Sequence, residues 1–180
     1  MFAHGGGRIL LESERLNLRP WEAGDWLEFG TIAADPDVMR YIGDGTPWPA
    51  ERSRQFVQRQ ISLFEERGFC LWKLSARLQD CSRLIGFCGL QPLPQTETER
   101  DEIEIGWWLA RAWWGRGLAT EAALVAMRDG FERLGLQRIV AIAQPANTAS
   151  IGITRKLGMR FERLTHSRGI AVAMYAREAP

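Results

Sequence analysis

Polar and apolar residues alternate in Arg15-Leu16-Asn17-Leu18-Arg19, the two-residue period of a half-buried strand, and Pro20 ends it. From residue 22 to 34 the period lengthens. Trp26, Phe29, Ile32 and Ala33 recur at helical spacing until Asp35-Pro36-Asp37 breaks the run. Residues 43–49 are turn-like. Pro49-Ala50-Glu51 then opens a longer helix that carries Phe56, Ile61 and Phe64 among charges and closes at Gly68. Residues 69–74 and 84–90 read as a strand pair, and the polar run 92–100 as a loop. In the next strand, residues 102–109, the period of two sets Ile103, Ile105, Trp107 and Leu109 on one face. Glu102, Glu104, Gly106 and Trp108 fall on the other. A helix from about Gly117 to Leu134 stops at Gly135, and residues 138–143 form a short strand. A helix over 147–157 has Gly158 placed to end it. Strands near 161–165 and 170–175 complete the order. This succession predicts an α/β domain of the α+β type: about seven strands in one mixed, mostly antiparallel sheet, flanked by about four helices.

The 180 residues suit a single domain over 10–180, with Gly5-Gly6-Gly7 making residues 1–9 a flexible lead-in. Hydrophobic residues at 46% and charged residues at 25% exclude a disordered or collagen-like chain. The 23 Lys and Arg against 22 Asp and Glu leave a formal charge of +1, without the basic excess a nucleic-acid binder shows. No stretch approaches the roughly 20 apolar residues of a membrane helix. Cys70, Cys81 and Cys88 form no Cys-x-x-Cys pair, and His4 and His166 stand far apart, so no structural zinc site is expected. An odd cysteine count without a signal peptide points to the cytoplasm.

The chemistry concentrates in Ala110-Arg111-Ala112-Trp113-Trp114-Gly115-Arg116-Gly117-Leu118-Ala119-Thr120-Glu121, which joins a strand to a helix. The helix start lacks the usual Ser, Thr, Asp or Asn cap, whose loss costs ~1 kcal/mol. Gly-Arg-Gly stands there instead. The first N–H groups of the helix have no intrahelical partner, and the glycines let a ligand approach them. The positive end of the helix dipole and Arg116 favour a negative charge. This reads as a phosphate cradle without the Lys-Ser/Thr of a P-loop, although Gly-x-Gly before a helix is often only a tight turn.

The same stretch resembles the acyl-CoA pyrophosphate loop of the GNAT N-acetyltransferase superfamily. Its run Trp113-Trp114-Gly115-Arg116-Gly117-Leu118-Ala119-Thr120-Glu121-Ala122 is similar to the ribosomal-protein N-terminal acetyltransferase (RimJ/RimL-type) branch. Gly115 and Gly117 match the loop pattern. Ala112 stands where Gln or Arg is common, and Arg111 is one residue early. Residues 147–159, with Met159 in place of Phe, resemble a helix of that branch, and residues 102–110 and 11–21 are similar to the family's central and first strands. The likeness covers about residues 10–176.

The resemblance implies a GNAT-like acyl-CoA N-acyltransferase fold in which the central strand and the next one splay apart around acetyl-CoA as co-substrate, with no metal. Backbone groups of Trp107, Trp108 and Leu109 would then face the pantetheine arm as an added strand does. Trp114 and the N–H groups of Gly115, Arg116, Gly117, Ala119 and Thr120 would hold the pyrophosphate, and Asn147 would reach the thioester region. The reaction would be attack of a neutral primary amine on the thioester. At pH 7 roughly a tenth of an α-amine is neutral, against about one part in 2,500 of a lysine amine. Glu104 is the first candidate for the base or for orienting the amine, and Glu102 the second; both also read as ordinary polar-face residues. Ser150, one turn after Asn147, could donate to the departing thiolate or simply cap the helix. Tyr41 and Tyr175 are the only tyrosines, and neither lies where the family often has its acid. Trp21, Trp26 and Trp48 are expected in the core, with the acceptor entrance as the alternative. Cys70 and Cys88 read as buried thiols and His166 as solvated. The acceptor implied by the branch is the α-amine of a protein N-terminus. A small-molecule amine such as an amino sugar, polyamine or amino acid is the alternative, and a non-catalytic acyl-CoA-binding module a third reading. Monomer and homodimer both fit, and no nucleic-acid or membrane partner is expected.

Overall fold

The computed structural model describes residues 10–77, 83–93 and 102–180. The lead-in, His4, Cys81 and most of the expected 92–100 loop lie outside them. Strands β1 (Leu11–Glu12), β2 (Leu16–Arg19), β3 (Leu71–Ala76), β4 (Leu84–Pro92), β5 (Ile103–Leu109), β6 (Arg138–Ala143), β7 (Arg160–Ser167) and β8 (Ile170–Glu178) form one sheet in the order β1-β2-β3-β4-β5-β6-β8-β7. Every neighbouring pair is antiparallel except β5 and β6. Helices α1 (Trp26–Ala33), α2 (Pro36–Met39), α3 (Ala50–Arg67), α4 (Leu118–Glu132) and α5 (Thr148–Lys156) cover it.

The described residues thus hold eight strands where about seven were expected, and five α-helices where about four were expected. The added strand, β1, is two residues long, too short to show a period. The added helix is the single turn α2. Asp35 does break the preceding helix, but its side chain also accepts the Asp37 N–H at 2.9 Å, and Pro36 sits at the first helical position. The same three residues thus stop one helix and start another.

Cross-strand register assigns the faces of the central strands. Leu90 opposes Ile105, and a Cβ placed on Gly130 of α4 would lie 2.8 Å from a Leu90 methyl. That side of β4 and β5 is therefore packed by α4. Phe87 opposes Trp108, and Gln91 opposes Glu104, on the other side. There Trp108 meets Phe87 at a ring separation of 4.9 Å and stacks on Phe29 of α1 at 6.1 Å and Phe56 of α3 at 6.4 Å. Phe29 is fully buried at the centre of this aromatic group. Trp21 belongs to the core as expected, its indole N–H donating to the Leu71 carbonyl.

The parallel junction of β5 and β6 is held over one register pair, Glu104 with Val140. From Ile105 onward β5 pairs with β4 alone, and the two strands part toward their C-terminal ends. At the closed end Arg138 of β6 meets Glu102 at 3.3 Å and Glu178 at 2.8 Å, and also pairs with Glu162. The ion network fastens the strands at one end only, so the sheet opens at the other.

Candidate active site

After β5 the chain makes a short 3-10 turn, Arg111–Trp113, and then reverses direction through Gly115 (φ +73°) and Gly117 (φ +77°). Both angles lie in the left-handed region that glycine enters without a Cβ penalty. Helix α4 starts at Leu118 with Gly117 as its uncapped N-terminal neighbour. Glu121 N–H is the first amide to bond back, to the Gly117 carbonyl at 3.1 Å. Among the described residues the amides of residues 115–120 have no acceptor. A Cβ on Gly115 would touch nothing within 4 Å, and one on Gly117 would meet only an Arg15 nitrogen at 3.7 Å. Open space above bare amides at a helix start fits a diphosphate.

The cradle is braced from a distant part of the chain. The Arg15 guanidinium donates to the Arg116 carbonyl at 3.0 Å and pairs with Glu121 at 2.5 Å, while Arg15 N–H also donates to Glu121 at 2.9 Å. The contact fixes both sides of the turn between Arg116 and Glu121. Arg111 turns away to Asp37 at 2.5 Å, and Arg116 lies exposed over the Trp113 ring at 5.2 Å.

Two cavities meet where β5 leaves β6. The first, of about 430 Å³, is lined by Trp107, Trp108, Leu109, Trp114, Gly115, Gly117, Ala119, Thr120, Asn147 and Ser150. These include every cofactor residue expected from sequence except Arg116, whose side chain points elsewhere. Trp114 also closes on the strand, its Nε1–H donating to the Leu109 carbonyl at 2.7 Å. The second cavity, of about 840 Å³, has Glu104, Gln91, Gly106, Phe56, Phe87 and Trp48 in its walls. Tyr41, Ile42, Trp107, Trp108, Asn147 and Ser150 line both. Of the three tryptophans offered for the acceptor entrance, Trp48 takes that place. Trp26 instead carries the Arg54 guanidinium over its ring at 4.5 Å.

Glu104 is 8% exposed on the floor of the second cavity. Its carboxylate accepts from Gln91 Nε2 at 2.5 Å. Gln91 Oε1 accepts from Gln60 Nε2 at 3.3 Å, and Gln60 Oε1 accepts the buried Leu71 N–H at 2.9 Å. A backbone amide thus orients two glutamines, and they orient one carboxylate. Burial pushes the Glu104 pKa up from 4.5 to about 7, against the opposing pull of the Gln91 hydrogen bond and the Arg168 charge. The group can hold or release a proton near neutral pH. Gly106, between Glu104 and Trp108 on this face, leaves the floor open, since a Cβ there would meet only a Leu71 methyl at 3.5 Å.

The structure corrects the place of Glu102. It is not in the wall of either cavity; it is buried against Arg138 at the closed end of the β5–β6 junction, where both its oxygens are engaged at 3.3 Å. The cause is a sheet junction that brings the N-terminal ends of β5 and β6 together. Asn147 caps α5, its Oδ1 accepting the Ser150 N–H at 3.1 Å. The Ser150 hydroxyl itself has no partner among the described residues and lies at the meeting of the cavities. Tyr41, from the loop after α2, lies there too, a placement no local pattern signalled. Tyr175 is buried on β8 against Phe161. Burial pushes the Cys70 and Cys88 thiols far up, so neither is a thiolate at neutral pH. Among the described residues no group of His, Cys, Asp or Glu could hold a metal ion, and no helix is long and apolar enough to cross a membrane.

Bare amides at a helix start, an opened sheet and a buried carboxyl of raised pKa in adjoining cavities suit a group-transfer site. The chain belongs to the GNAT acetyltransferase family, whose Acetyltransferase (GNAT) domain model matches residues 15–160. It is 31% identical to an uncharacterized N-acetyltransferase, p20, of Bacillus licheniformis over 156 residues, 86% of this chain and 84% of that one. A solved GNAT-family acetyltransferase from Bacillus anthracis superposes with a TM-score of 0.77 at 27% identity, covering 94% of this chain and 98% of that one. RimL, described as a ribosomal L7/L12 alpha-N-protein acetyltransferase in complex with coenzyme A, shares the fold with a TM-score of 0.76 at 19% identity, over 95% and 98% of the two chains. The activity is N-acetyl transfer from acetyl-CoA.

Proposed function

We propose that the chain acetylates an α-amine, most directly that of a protein N-terminus, with Glu104 as the proton acceptor. Acetyl-CoA supplies the activated acetyl thioester. The amides of Gly115, Arg116, Gly117, Ala119 and Thr120 bind its diphosphate, and the unpaired edge of β5 at Trp107, Trp108 and Leu109 aligns its arm. Trp114 and Asn147 border that path. Ser150 holds a free hydroxyl where the cavities meet, and Tyr41 a second, each placed to give a hydrogen bond to the departing sulfur.

The observation that carries this reading is the Glu104 carboxyl, buried in the wall of the second cavity and held by Gln91, where desolvation pushes its pKa up to about 7. An α-ammonium of pKa about 7.7–8.0 gives its proton to such a group at a cost of about 1 kcal/mol. A lysine ammonium of pKa about 10.4 would cost about 5 kcal/mol. The site therefore suits an α-amine and disfavours a side-chain amine. RimL, whose description names an alpha-N-protein substrate, makes a protein N-terminus the first acceptor to try. A second reading, a small α-amino compound, is favoured by the cavity volume of about 840 Å³, which lies within the range of small-ligand sites.

The test is acetyl-CoA with matched acceptors, read by mass spectrometry. These are peptides with a free α-amine and no lysine, the same peptides α-blocked and carrying lysine, and small α-amino compounds. Acetylation of free α-amines is expected, and acetylation of the lysine peptides alone would overturn the proposal.

A further inference from the structure

The acceptor cavity has a basic wall that the transfer chemistry does not use. Arg52 and Arg59 stand two turns apart on α3, and Arg168 comes from the turn between β7 and β8; all three line the cavity that holds Glu104. Arg15 and Arg138 are engaged by carboxylates and Arg177 by the Leu157 carbonyl at 2.6 Å, while Arg19, Arg67, Arg128, Arg155 and Arg160 make no such bond among the described residues but lie in neither cavity wall. Among the described residues, the guanidinium groups of these three make no hydrogen bond or ion pair, and Arg52 only lies over the Trp48 ring at 4.4 Å.

The acidic residues in the same wall answer them only at a distance, the charges of Arg52 and Arg168 acting on Asp44 and Glu104 without a hydrogen bond or ion pair. Asp44 accepts the Thr46 N–H at 3.0 Å within its own loop, Glu66 sits exposed near the end of α3, and Glu104 is bonded to Gln91. Arg59 stands exposed on α3, yet partial desolvation and repulsion from Arg168 and Arg52 hold it below the ordinary arginine value. The backbone adds an independent sign. Arg168 has φ +51° and is the single non-glycine residue with positive φ among the described residues. It precedes Gly169 at φ +78°, in a turn where Asn or Gly would sit more easily. The turn sets the Arg168 side chain in the cavity wall.

We infer that Arg59, Arg168 and Arg52 bind an anionic group of the acceptor, so that the preferred substrate is an α-amine whose own molecule carries a carboxylate beyond the amine. The inference rests on the α-amine reading above and narrows it. Planar guanidinium forks suit a carboxylate, and Arg168, whose charge also acts on Glu104, sets that anion in the same cavity as the amine. Two sources offer this chemistry, an acidic residue next to a peptide N-terminus and the side chain of a small acidic amino-acid amide, whose α-amine keeps the low pKa the reading above requires.

The experiment compares kcat/KM for isosteric pairs with the full chain and acetyl-CoA: the peptide amides Ser-Asp-Ala-Ala and Ser-Asn-Ala-Ala, and glutamate α-amide against glutamine α-amide. The acidic member of at least one pair is expected to be favoured tenfold or more, through KM. The advantage should shrink as salt rises and vanish in the R59Q/R168Q double variant, whose KM for acetyl-CoA stays within twofold of the parent. The pair that shows the preference identifies the source. Equal turnover of acidic and neutral members, or a preference that survives the double variant, would overturn the inference while leaving the α-amine reading intact. Absence of turnover with every α-amine, alongside turnover of lysine peptides, would overturn both.

Discussion

Replacing Glu104 with Gln keeps the shape of the side chain and its contact with Gln91, but removes the one buried carboxylate in the acceptor cavity. Two consequences are expected, of opposite sign. The parent kcat/KM should rise with pH through a limb centred near 7, the pH at which Glu104 gives up its proton. In Glu104→Gln that limb should disappear and the rate fall by about 10²–10⁴, the usual contribution of a positioned base. Stability should move the other way. The folded pKa of about 7 lies above the starting value of 4.5. The folded chain therefore keeps a proton that the unfolded chain has lost. The parent is thus most stable, as far as this group is concerned, below pH 4.5. It loses that advantage as pH rises to 7, about 3 kcal/mol in all. The variant lacks this penalty, so its denaturant midpoint should gain on the parent between pH 5 and 8. A stopped assay across pH 5.5–9 and urea melts at the two ends of the range measure both effects. Full activity with an unchanged pH profile would remove Glu104 from the reaction. A variant no more stable than the parent at pH 8 would show that burial does not hold the carboxyl at a raised pKa.

Gly117→Glu should abolish binding of CoA by calorimetry, because the new side chain brings bulk and negative charge to the bare amides. The fold should persist in circular dichroism. Gln91→Leu should move the acidic limb of the rate profile to higher pH, since the hydrogen bond it removes is one of the two influences holding the Glu104 pKa down. A limb that stays in place would mean that the glutamine pair does not tune the site. Phe29→Ala, which empties the centre of the aromatic group, should cost about 3–5 kcal/mol in urea melts.

Periodicity made the long elements legible. The helix spacing of α3, the alternation in β5 and the glycine that closes α3 at φ +72° all act within a few residues of one another. The glycine turn before α4 was legible for the same reason, since two glycines and a missing cap describe local backbone. The alternation also put Glu104 on the proper face. It put Glu102 there as well, and only the junction of β5 with β6 separates their fates, by giving Glu102 to Arg138. The glutamine relay was hidden because it depends on the register that sets Gln91 opposite Glu104 and on α3 lying over β3. Tyr41, Arg15 and Arg168 were hidden likewise; each reaches the cavities or the cradle from a segment distant in sequence. β8 extends to Glu178, beyond its periodic run, because its last residues pair with the start of β6.

The parting of β5 from β6 also bears on cohesion. A sheet joined at its centre by one register pair and an ion cluster consists of two halves that can flex about that seam. A carrier bridging the open side would tie them together, so saturation should raise the melting temperature and slow amide exchange in β6 and β8 as well as in the loop that grips it. At a hundred times its dissociation constant it would add about 2.7 kcal/mol to the folded state. Scarcity of the acetyl donor would then leave the enzyme idle and also mechanically looser.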